Sequence, residues 1–463
     1  MQKQHSEFMG HPKGLFLLFS TELWERFSYY AMRAILVLFL TDTTINGGLG
    51  WTNQQALQLY GAYTGLVYIT PLIGGWLADN YLGQRRSLLM GGVLMALGQF
   101  ALALPDNALL LSETHALYLG LALIIAGNGL FKPNISTMVG DLYQEGDNRR
   151  DGAFTIFYMG INIGGLLAGL VSGSVTGTYG WKAGFLAAGI GMVISLLLQM
   201  GFAHRWLGNI GIEPAAKKHA VTTQSRQPLT KEEKDRMKVI MVMGLFVVVF
   251  WAGFEQAGGL MNVYSQQYTD RMVGGFEVPA AWFQSLNPFF IITLAPILAA
   301  LWIRMGKNEP NSPIKFALAL FFLALGFLCM VGAALEQGGD PSAKTSMLWL
   351  IGAFFFHTLG ELCLSPIGLS MVTKLAPLRL ASLMMGVWFG FNAIANYVAG
   401  YIGSRVGDFG ALAIFGGIAV TATLSGLLLI LCSNQLIIWM HGAEDKPELE
   451  DEDEHAALAL NET

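Results

Sequence analysis

The sequence predicts an all-α membrane protein with twelve spanning helices in two halves of six, and three observations support this. Hydrophobic residues make up 53% of the 463 residues and charged residues only 13%, whereas about a quarter of the residues in a soluble domain are charged. Apolar runs recur along nearly the whole chain, and the longest polar stretch divides them into two equal sets. Lys and Arg collect on alternate connections. The composition therefore excludes a soluble domain, a disordered chain and a disulfide scaffold.

The apolar runs have the length that a membrane helix requires, about 20 mostly apolar residues for about 30 Å of hydrocarbon. Six of them lie in the first part of the chain, at 15–40, 55–79, 86–104, 116–138, 153–175 and 183–202. Six more lie in the second part, at 239–264, 281–303, 314–335, 347–373, 382–403 and 411–434. An even count of spans places both termini on the same side of the membrane.

The distribution of basic residues predicts that this side is the cytoplasm, where the loops hold an excess of Lys and Arg. With both termini inside, 20 of the 27 basic residues lie on the cytoplasmic side, 4 on the other side and 3 within spans. An odd number of spans would place Arg85 and Arg86 on the opposite face from Arg149 and Arg150. The pattern therefore favours an even number of spans as well as cytoplasmic termini.

The same topology divides the chain into four parts. These are an N-terminal six-helix bundle at 1–202, a cytoplasmic linker at 203–238, a C-terminal six-helix bundle at 239–435 and a cytoplasmic tail at 436–463. Eight of the eleven residues from Glu444 to Glu454 are acidic, and such a charge run predicts a solvated, disordered end. The three cysteines lie inside apolar runs and indicate no redox chemistry.

The first span carries an unusual number of ionisable groups, each of which costs several kcal/mol in lipid unless it is paired or faces water. They are two acids, two bases and a pair of tyrosines: Glu22, Glu25, Arg26, Arg33, Tyr29 and Tyr30. At about 100° per residue, Glu22, Arg26 and Arg33 fall on one stripe of the helix, with Glu25 at its margin. A structural ion pair between Glu22 and Arg26 is one explanation. Two acids and two bases on one face favour a functional site instead.

Other spans contribute further polar groups at interior depth: Lys132, Asn162, Glu255, Asn287, Glu361 and Trp388. Arg33 and Lys132 make the first half cationic, whereas Glu255 and Glu361 make the second half anionic. A cavity between such halves suits a zwitterion whose carboxylate faces one half and whose ammonium faces the other. The carboxylates beside Arg26 suit a proton-binding site, because a nearby base changes their proton affinity.

Several motifs together resemble a known family. The loop from Gly74 to Arg86 resembles the signature loop of the major facilitator superfamily through Asp79, Gly83, Arg85 and Arg86. The further motifs are Glu22-x-x-Glu25-Arg26, Tyr29-Tyr30, Phe157-Tyr158 followed by Ile161-Asn162-x-Gly164, and Phe-Trp-Ala-Gly-Phe-Glu-Gln at 250–256. In this order, over about residues 12–435, they resemble the proton-coupled oligopeptide transporter family in its bacterial form.

The resemblance implies a major facilitator fold and a proton-driven symporter that imports di- and tripeptides by alternating access across the cell inner membrane. It implies that Glu22, Glu25 and Arg26 couple proton binding to transport. Arg33 and Lys132 would meet the peptide carboxylate and Glu361 the peptide amino terminus. The pocket would be lined by Tyr29, Tyr30, Tyr68, Asn162, Asn287 and Trp388, and Glu255 would contribute to gating. Such a transporter is no enzyme, needs no cofactor, metal or nucleic acid, and functions as a monomer in the bilayer.

The sequence departs from the family in two respects and leaves alternatives open. The 203–238 stretch is too short and polar for the two extra helices of many bacterial members. The second span lacks the histidine of the animal members, with Gly61 in that neighbourhood, so coupling would rest on carboxylates. The alternatives are a proton-coupled transporter of modified peptides or other small anions and an uncoupled facilitator. An intramembrane hydrolase is disfavoured, because no metal-ligand motif or serine elbow stands out.

Overall fold

The computed structural model describes residues 7–105, 112–144, 147, 149–214, 228–340, 342–377 and 380–443. Within these ranges the chain is almost entirely helical, with six strands of two residues each. The acidic stretch that begins at Glu444 and the middle of the predicted linker lie outside the described residues.

Six long helices form the N-terminal half: α1 (Lys13–Thr41), α2 (Asn53–Leu77), α3 (Gln84–Leu102), α4 (Glu113–Gly140), α5 (Arg149–Tyr179) and α6 (Trp181–Trp206). A π-helical turn at Ala78–Leu82 leads from α2 towards α3. The strands β1 (Glu7–Phe8) and β2 (His11–Pro12) pair antiparallel before α1. Since short connections join successive helices, neighbours along the chain run antiparallel.

The second half contains six long helices and one short one: α7 (Lys231–Phe254), α8 (Leu260–Gln267), α9 (Leu286–Met305), α10 (Ser312–Gln337), α11 (Met347–Leu375), α12 (Ala381–Ser404) and α13 (Val406–Met440). Turns of 3₁₀-helix at Glu255–Ala257 and Ala280–Ser285 precede α8 and α9. The remaining strands pair as β3 (Thr269–Asp270) parallel to β6 (Thr345–Ser346), and β4 (Met272–Val273) antiparallel to β5 (Phe276–Glu277).

The long helices coincide with the twelve predicted spans to within a few residues, with two exceptions. The predicted span 239–264 is broken at Glu255–Ala257 and restarts as α8. The last helix has a kink at Gly410, where the backbone leaves the helical conformation (φ 78°, ψ 159°), and from there it continues beyond the predicted end at 434 to Met440. In the described residues, eight helical segments are long and apolar enough to cross a membrane by length and composition alone. α1 is not among them because of the charged residues described above.

Polar residues at the starts of helices satisfy backbone donors that have no partner within the helix. Thr52 and Gln55 form a reciprocal capping box at the start of α2, and Thr230 and Glu233 form another at the start of α7. The second box places the start of α7 inside the predicted linker, close to its end.

Glycines allow the two halves to approach closely where α2 crosses α12. A Cβ built on Gly61 would lie 2.7 Å from the Cα of Gly400, and a Cβ on Gly400 would lie 2.5 Å from the Cα of Gly61. Backbone atoms cannot move aside as a flexible side chain can, so this crossing requires glycine on both helices.

The substitution Gly61→Ala tests this crossing. We expect it to lower stability by about 1–3 kcal/mol through overpacking, measured as the thermal unfolding midpoint of the protein in detergent. Gly390→Ala in α12 is the matched control, because nothing lies within 4 Å of a Cβ built there. Equal midpoints for the two variants would contradict the interpretation.

Further contacts join the halves near the end of α1 and the end of α5. The side-chain amide of Asn262 in α8 donates to the carbonyl oxygen of Ala34 in α1 at 2.8 Å. The Trp282 indole donates to Leu170 O in α5 at 3.0 Å, and the Ser285 hydroxyl to Leu166 O at 2.7 Å. The two halves are therefore held together at the end of the molecule where α1 ends and α2 begins.

Candidate functional site

A cavity with about 750 Å³ of empty space, part of it open to solvent, lies between the two halves. Residues of α1 and α5 form one wall, and residues of α7, α9 and α11 form the other. The cavity lies between packed helices, a place where proteins commonly bind small molecules.

Five of the site residues predicted from the sequence line this cavity: Tyr30, Arg33, Asn162, Asn287 and Glu361. They are accompanied by polar and apolar residues that were not predicted as pocket residues: Tyr158, Ile161, Phe254, Gln284, Pro288, Ile291 and Phe354. The mixture of a few polar groups with aromatic and aliphatic side chains is typical of sites that bind small molecules. Tyr158 belongs to a motif noted above, whereas the spacing of Phe254 and Phe354 does not distinguish them from core residues.

The side chain of Glu361 is held in position by Asn287 on the same wall of the cavity. The Asn287 amide donates to Glu361 Oε2 at 2.7 Å and to the Thr358 hydroxyl at 3.1 Å. That hydroxyl in turn donates to Phe354 O at 2.7 Å. No basic side chain among the described residues forms an ion pair with Glu361. The carboxylate is thus oriented, while its charge is left without a cationic partner.

Arg33 pairs with Glu255 across the two halves of the molecule. Its Nε also donates to the Tyr60 hydroxyl in α2 at 2.6 Å. Glu255 lies in the 3₁₀ turn where α7 breaks, and Gly258 leaves the required space, since a Cβ there would lie 2.0 Å from the Tyr60 hydroxyl oxygen. The resemblance implies that Arg33 meets a substrate carboxylate, but in this structure its guanidinium is paired with the carboxylate of Glu255. Tyr60 was missed, because no pattern in the sequence relates it to Arg33.

The charged group of α1 is buried, and Arg26 pairs both with Glu22, as the helical stripe predicted, and with Glu25. Arg26 contacts both oxygens of Glu25, with Nε 2.5 Å from Oε2 and Nη2 2.7 Å from Oε1, and lies 3.2 Å from Glu22. Residues four apart normally face each other on a helix and adjacent residues do not, so the sequence favoured Glu22. The long Arg26 side chain also folds back to its neighbour Glu25, and the Tyr29 ring lies 5.2 Å from its guanidinium carbon.

Four other predicted residues do not line this cavity. Lys132 lies over the ring of Tyr68, with its ammonium 4.7 Å from the ring centre. Tyr29 is buried and its ring packs against that of Tyr30. Adjacent residues on a helix point in directions about 100° apart, so Tyr30 faces the cavity and Tyr29 does not. Trp388 is buried in the second half, where it packs against Phe316. The cavity therefore includes three of the six predicted pocket residues and only one of the two predicted carboxylate-binding cations.

Comparison with known proteins gives a consistent result. The model of the POT family matches residues 85–213 and 200–411. The peptide transporter YePEPT of Yersinia enterocolitica is 38% identical over 457 residues, covering 86% of this chain and 89% of that protein. A di-/tripeptide transporter of Lactococcus lactis subsp. cremoris is 34% identical over 447 residues, covering 84% of this chain and 88% of that protein.

The solved structure of a peptide transporter POT in complex with sulfate superposes with a TM-score of 0.87 at 37% identity. The superposition covers 94% of this chain and 97% of that one. These matches confirm the family that the motifs predicted. The chain belongs to the POT family, and it is a multi-span membrane transporter rather than an enzyme.

Proposed function

We propose that the protein is a proton-driven symporter that imports di- and tripeptides by alternating access. It would have the major facilitator fold with twelve spans, lie in the cell inner membrane with both termini in the cytoplasm, and work as a monomer. The names of the relatives support peptides as substrates. The observation that carries the proposal is the arrangement of charge in the cavity, where an oriented carboxylate faces a wall that holds a cation.

The peptide amino terminus would bind at Glu361, whose carboxylate is oriented by Asn287 and has no cationic partner among the described residues. Tyr30, Tyr158 and Asn162 on the opposite wall provide hydroxyl and amide groups for the peptide backbone. Every short peptide has these termini and this backbone. The apolar groups of the cavity would then accept varied side chains without determining binding.

Proton coupling would rest on the two buried acids that share one base. Arg26 can neutralise one of the carboxylates of Glu22 and Glu25, and no second base forms an ion pair with them among the described residues. Glu22 Oε2 has no hydrogen-bond partner in the described parts of the chain. A buried charge without a partner is unfavourable, and binding a proton removes it.

With the predicted orientation, the end at which the halves are joined faces outwards. The contacts of Gly61 with Gly400 and of Arg33 with Glu255 would close the cavity on that side. Opening to the outside would require this ion pair to break. A peptide carboxylate that competes for Arg33 would assist the change, since a ligand shifts a conformational equilibrium only through its different affinity for the two states.

The proposal is tested by uptake of labelled dialanine into liposomes that hold the purified protein, with and without an inward proton gradient. Accumulation above equilibrium that needs the gradient, and that a tripeptide but not free alanine inhibits, would support it. Equilibration without accumulation would indicate a facilitator. No uptake would direct the search to modified peptides or small anions.

Glu361→Gln tests the site of the amino terminus. We expect uptake of dialanine to fall by about 10–100-fold, because hydrogen bonds to a charged group contribute about 1.5–3 kcal/mol. Wild-type protein should discriminate against N-acetyl-dialanine, and the variant should lose this discrimination. Glu336→Gln is the matched control, since Glu336 is exposed on α10 and bonds to Trp349. A variant that still rejects the acetylated peptide would contradict the assignment.

A further inference from the structure

Asn128, in the middle of α4, is buried without a partner. Its side chain is 0% exposed, and neither its nitrogen nor its oxygen makes a hydrogen bond to any described residue. Leaving a buried polar group unsatisfied is unfavourable, and most buried amides in proteins have partners. The amide of Asn128 thus has a donor and an acceptor that are both unused in this conformation. A group that moves during a conformational change could bond them in another state.

The helices around α4 show which way Asn128 points. Its neighbour Gly127 faces α3, where a Cβ would lie 2.5 Å from the carbonyl oxygen of Gly91, and Gly129 faces α2, where a Cβ would lie 2.8 Å from Thr70 Cβ. Asn128 lies between these two directions, and Lys132 follows it one turn later on the same side. α4 also packs against α1, and the buried side of α4 between these two directions carries both Asn128 and Lys132. Asn128 therefore lies on the side of α4 that faces the charged group of α1.

Because α1 and α4 run antiparallel, contacts near one end of the pair show which residues of α1 lie at the same depth as Asn128. The His11 ring contacts the Tyr143 hydroxyl at 2.8 Å, and a Cβ on Gly14 would lie 2.8 Å from Leu142. Counting on from these two contacts in opposite directions along the chain brings Lys132 to within about two residues of the level of Glu22. Asn128 precedes Lys132 by four residues, which is about 6 Å along the helix. It is therefore level with Arg26, one turn beyond Glu22, where Glu25 is also placed.

In this structure Arg26 bonds both oxygens of Glu25, and Asn128 bonds no described residue. We propose that Asn128 is a positioning residue that hydrogen-bonds the Glu25 carboxyl when Arg26 leaves it during transport. An amide suits this role, because its N–H donates to a carboxylate and its oxygen accepts from a protonated carboxyl. The same side chain can thus serve Glu25 before and after proton binding. This inference rests on the proposed proton-coupled function and extends it by one residue.

The ionisable groups of α1, α2 and α4 in this part of the molecule are Glu22, Glu25, Arg26, Tyr29, Tyr63, Tyr68 and Lys132, and the Tyr68 ring lies directly against Lys132. On α3, the residues near this level, Met95 and Gln99, do not ionise. The Tyr63 hydroxyl is also buried without a described partner and is the competing group for Glu25. A test must therefore compare Asn128 with Tyr63.

The experiment measures gradient-driven uptake of dialanine between pH 5 and 8 together with peptide counterflow, in liposomes holding the full-length protein. For Asn128→Ala we expect driven accumulation to fall roughly tenfold or more, while counterflow stays within about threefold of wild type, as for a lost buried hydrogen bond used in one step only. Asn128→Ser should restore most of the accumulation, since a hydroxyl also donates and accepts. In a Glu25→Gln background, Asn128→Ala should have no further effect.

Asn134→Ala is the matched control, because Asn134 is also buried in α4 but donates to Leu130 O within the helix at 2.7 Å. Its uptake and pH profile should resemble wild type. The inference is overturned if Asn128→Ala accumulates peptide normally, if it loses counterflow as fully as driven uptake, or if Tyr63→Phe alone reproduces the loss. If Glu25→Gln itself still accumulates peptide, the proposed coupling fails first, and the role of Asn128 fails with it.

Discussion

Replacing Glu22 or Glu25 with Gln is expected to abolish proton-driven accumulation of peptide while leaving peptide counterflow measurable. Each substitution removes a carboxyl that can exchange a proton and retains its size, and Arg26 then keeps a single acidic partner. Without a titrating acid, the proton gradient has no group through which to act. Exchange of peptide across the membrane needs only the loaded carrier to change conformation, so it should survive.

The measurement compares uptake with a gradient and exchange without one in the same liposome preparation. Glu113→Gln is a suitable control, because Glu113 lies at the start of α4 and pairs with Lys182 at 2.9 Å, away from the α1 acids. By linkage, a coupling free energy of about 1–3 kcal/mol between proton and peptide would appear as a 5–150-fold mutual enhancement of binding. If both Gln variants still concentrate peptide, these acids are not the coupling site.

Arg33→Met and Glu255→Gln should each lower the stability of the protein more than the double substitution does. Both side chains are largely buried, and removing one partner of a buried ion pair leaves an uncompensated charge at a cost of about 3–5 kcal/mol. Replacing both with uncharged groups avoids that penalty. We therefore expect the thermal unfolding midpoint to fall in each single variant and to recover largely in the double variant.

Transport should not recover with stability, because the double variant lacks the ion pair that closes the cavity. Driven uptake of dialanine would stay low in all three proteins. Asp408→Asn is the matched control, since its ion pair with Arg405 is exposed and such pairs contribute only about 0–1 kcal/mol. Single variants as stable as the control would show that this pair does not hold the two halves together.

Much of the architecture was predictable because the bilayer imposes a local rule. A spanning helix must satisfy its backbone within itself and present apolar side chains over its whole length, so helix positions can be found without knowing their neighbours. The seventh span shows the limit of this rule. Its apolar run continues through Glu255, but the helix breaks there, and the resulting 3₁₀ turn places Glu255 against Arg33.

The candidate site was predictable in part of its membership and less so in its pairing. Ionisable residues within apolar runs identified Glu22, Glu25, Arg33 and Glu361 as functional candidates, because such residues are unfavourable in lipid without a role. Helical periodicity paired Arg26 with Glu22, and the structure contains this ion pair, but it also shows closer bonds to Glu25 that periodicity did not predict. Periodicity describes the directions of side chains at Cβ, and a side chain as long as that of arginine can reach beyond them.

By itself, the sequence determined that this is a helical membrane protein of a recognisable family and where its helices lie, and it predicted a transport site at the charges within them. Only the tertiary structure decided that Arg33 meets Glu255 and Tyr60, that Tyr30 rather than Tyr29 lines the cavity, and that Asn128 is left without a partner. The physical reason is the distance along the sequence over which the two kinds of interaction act. Helix formation in a membrane depends on neighbouring residues, whereas these contacts depend on which faces of helices distant in sequence pack together.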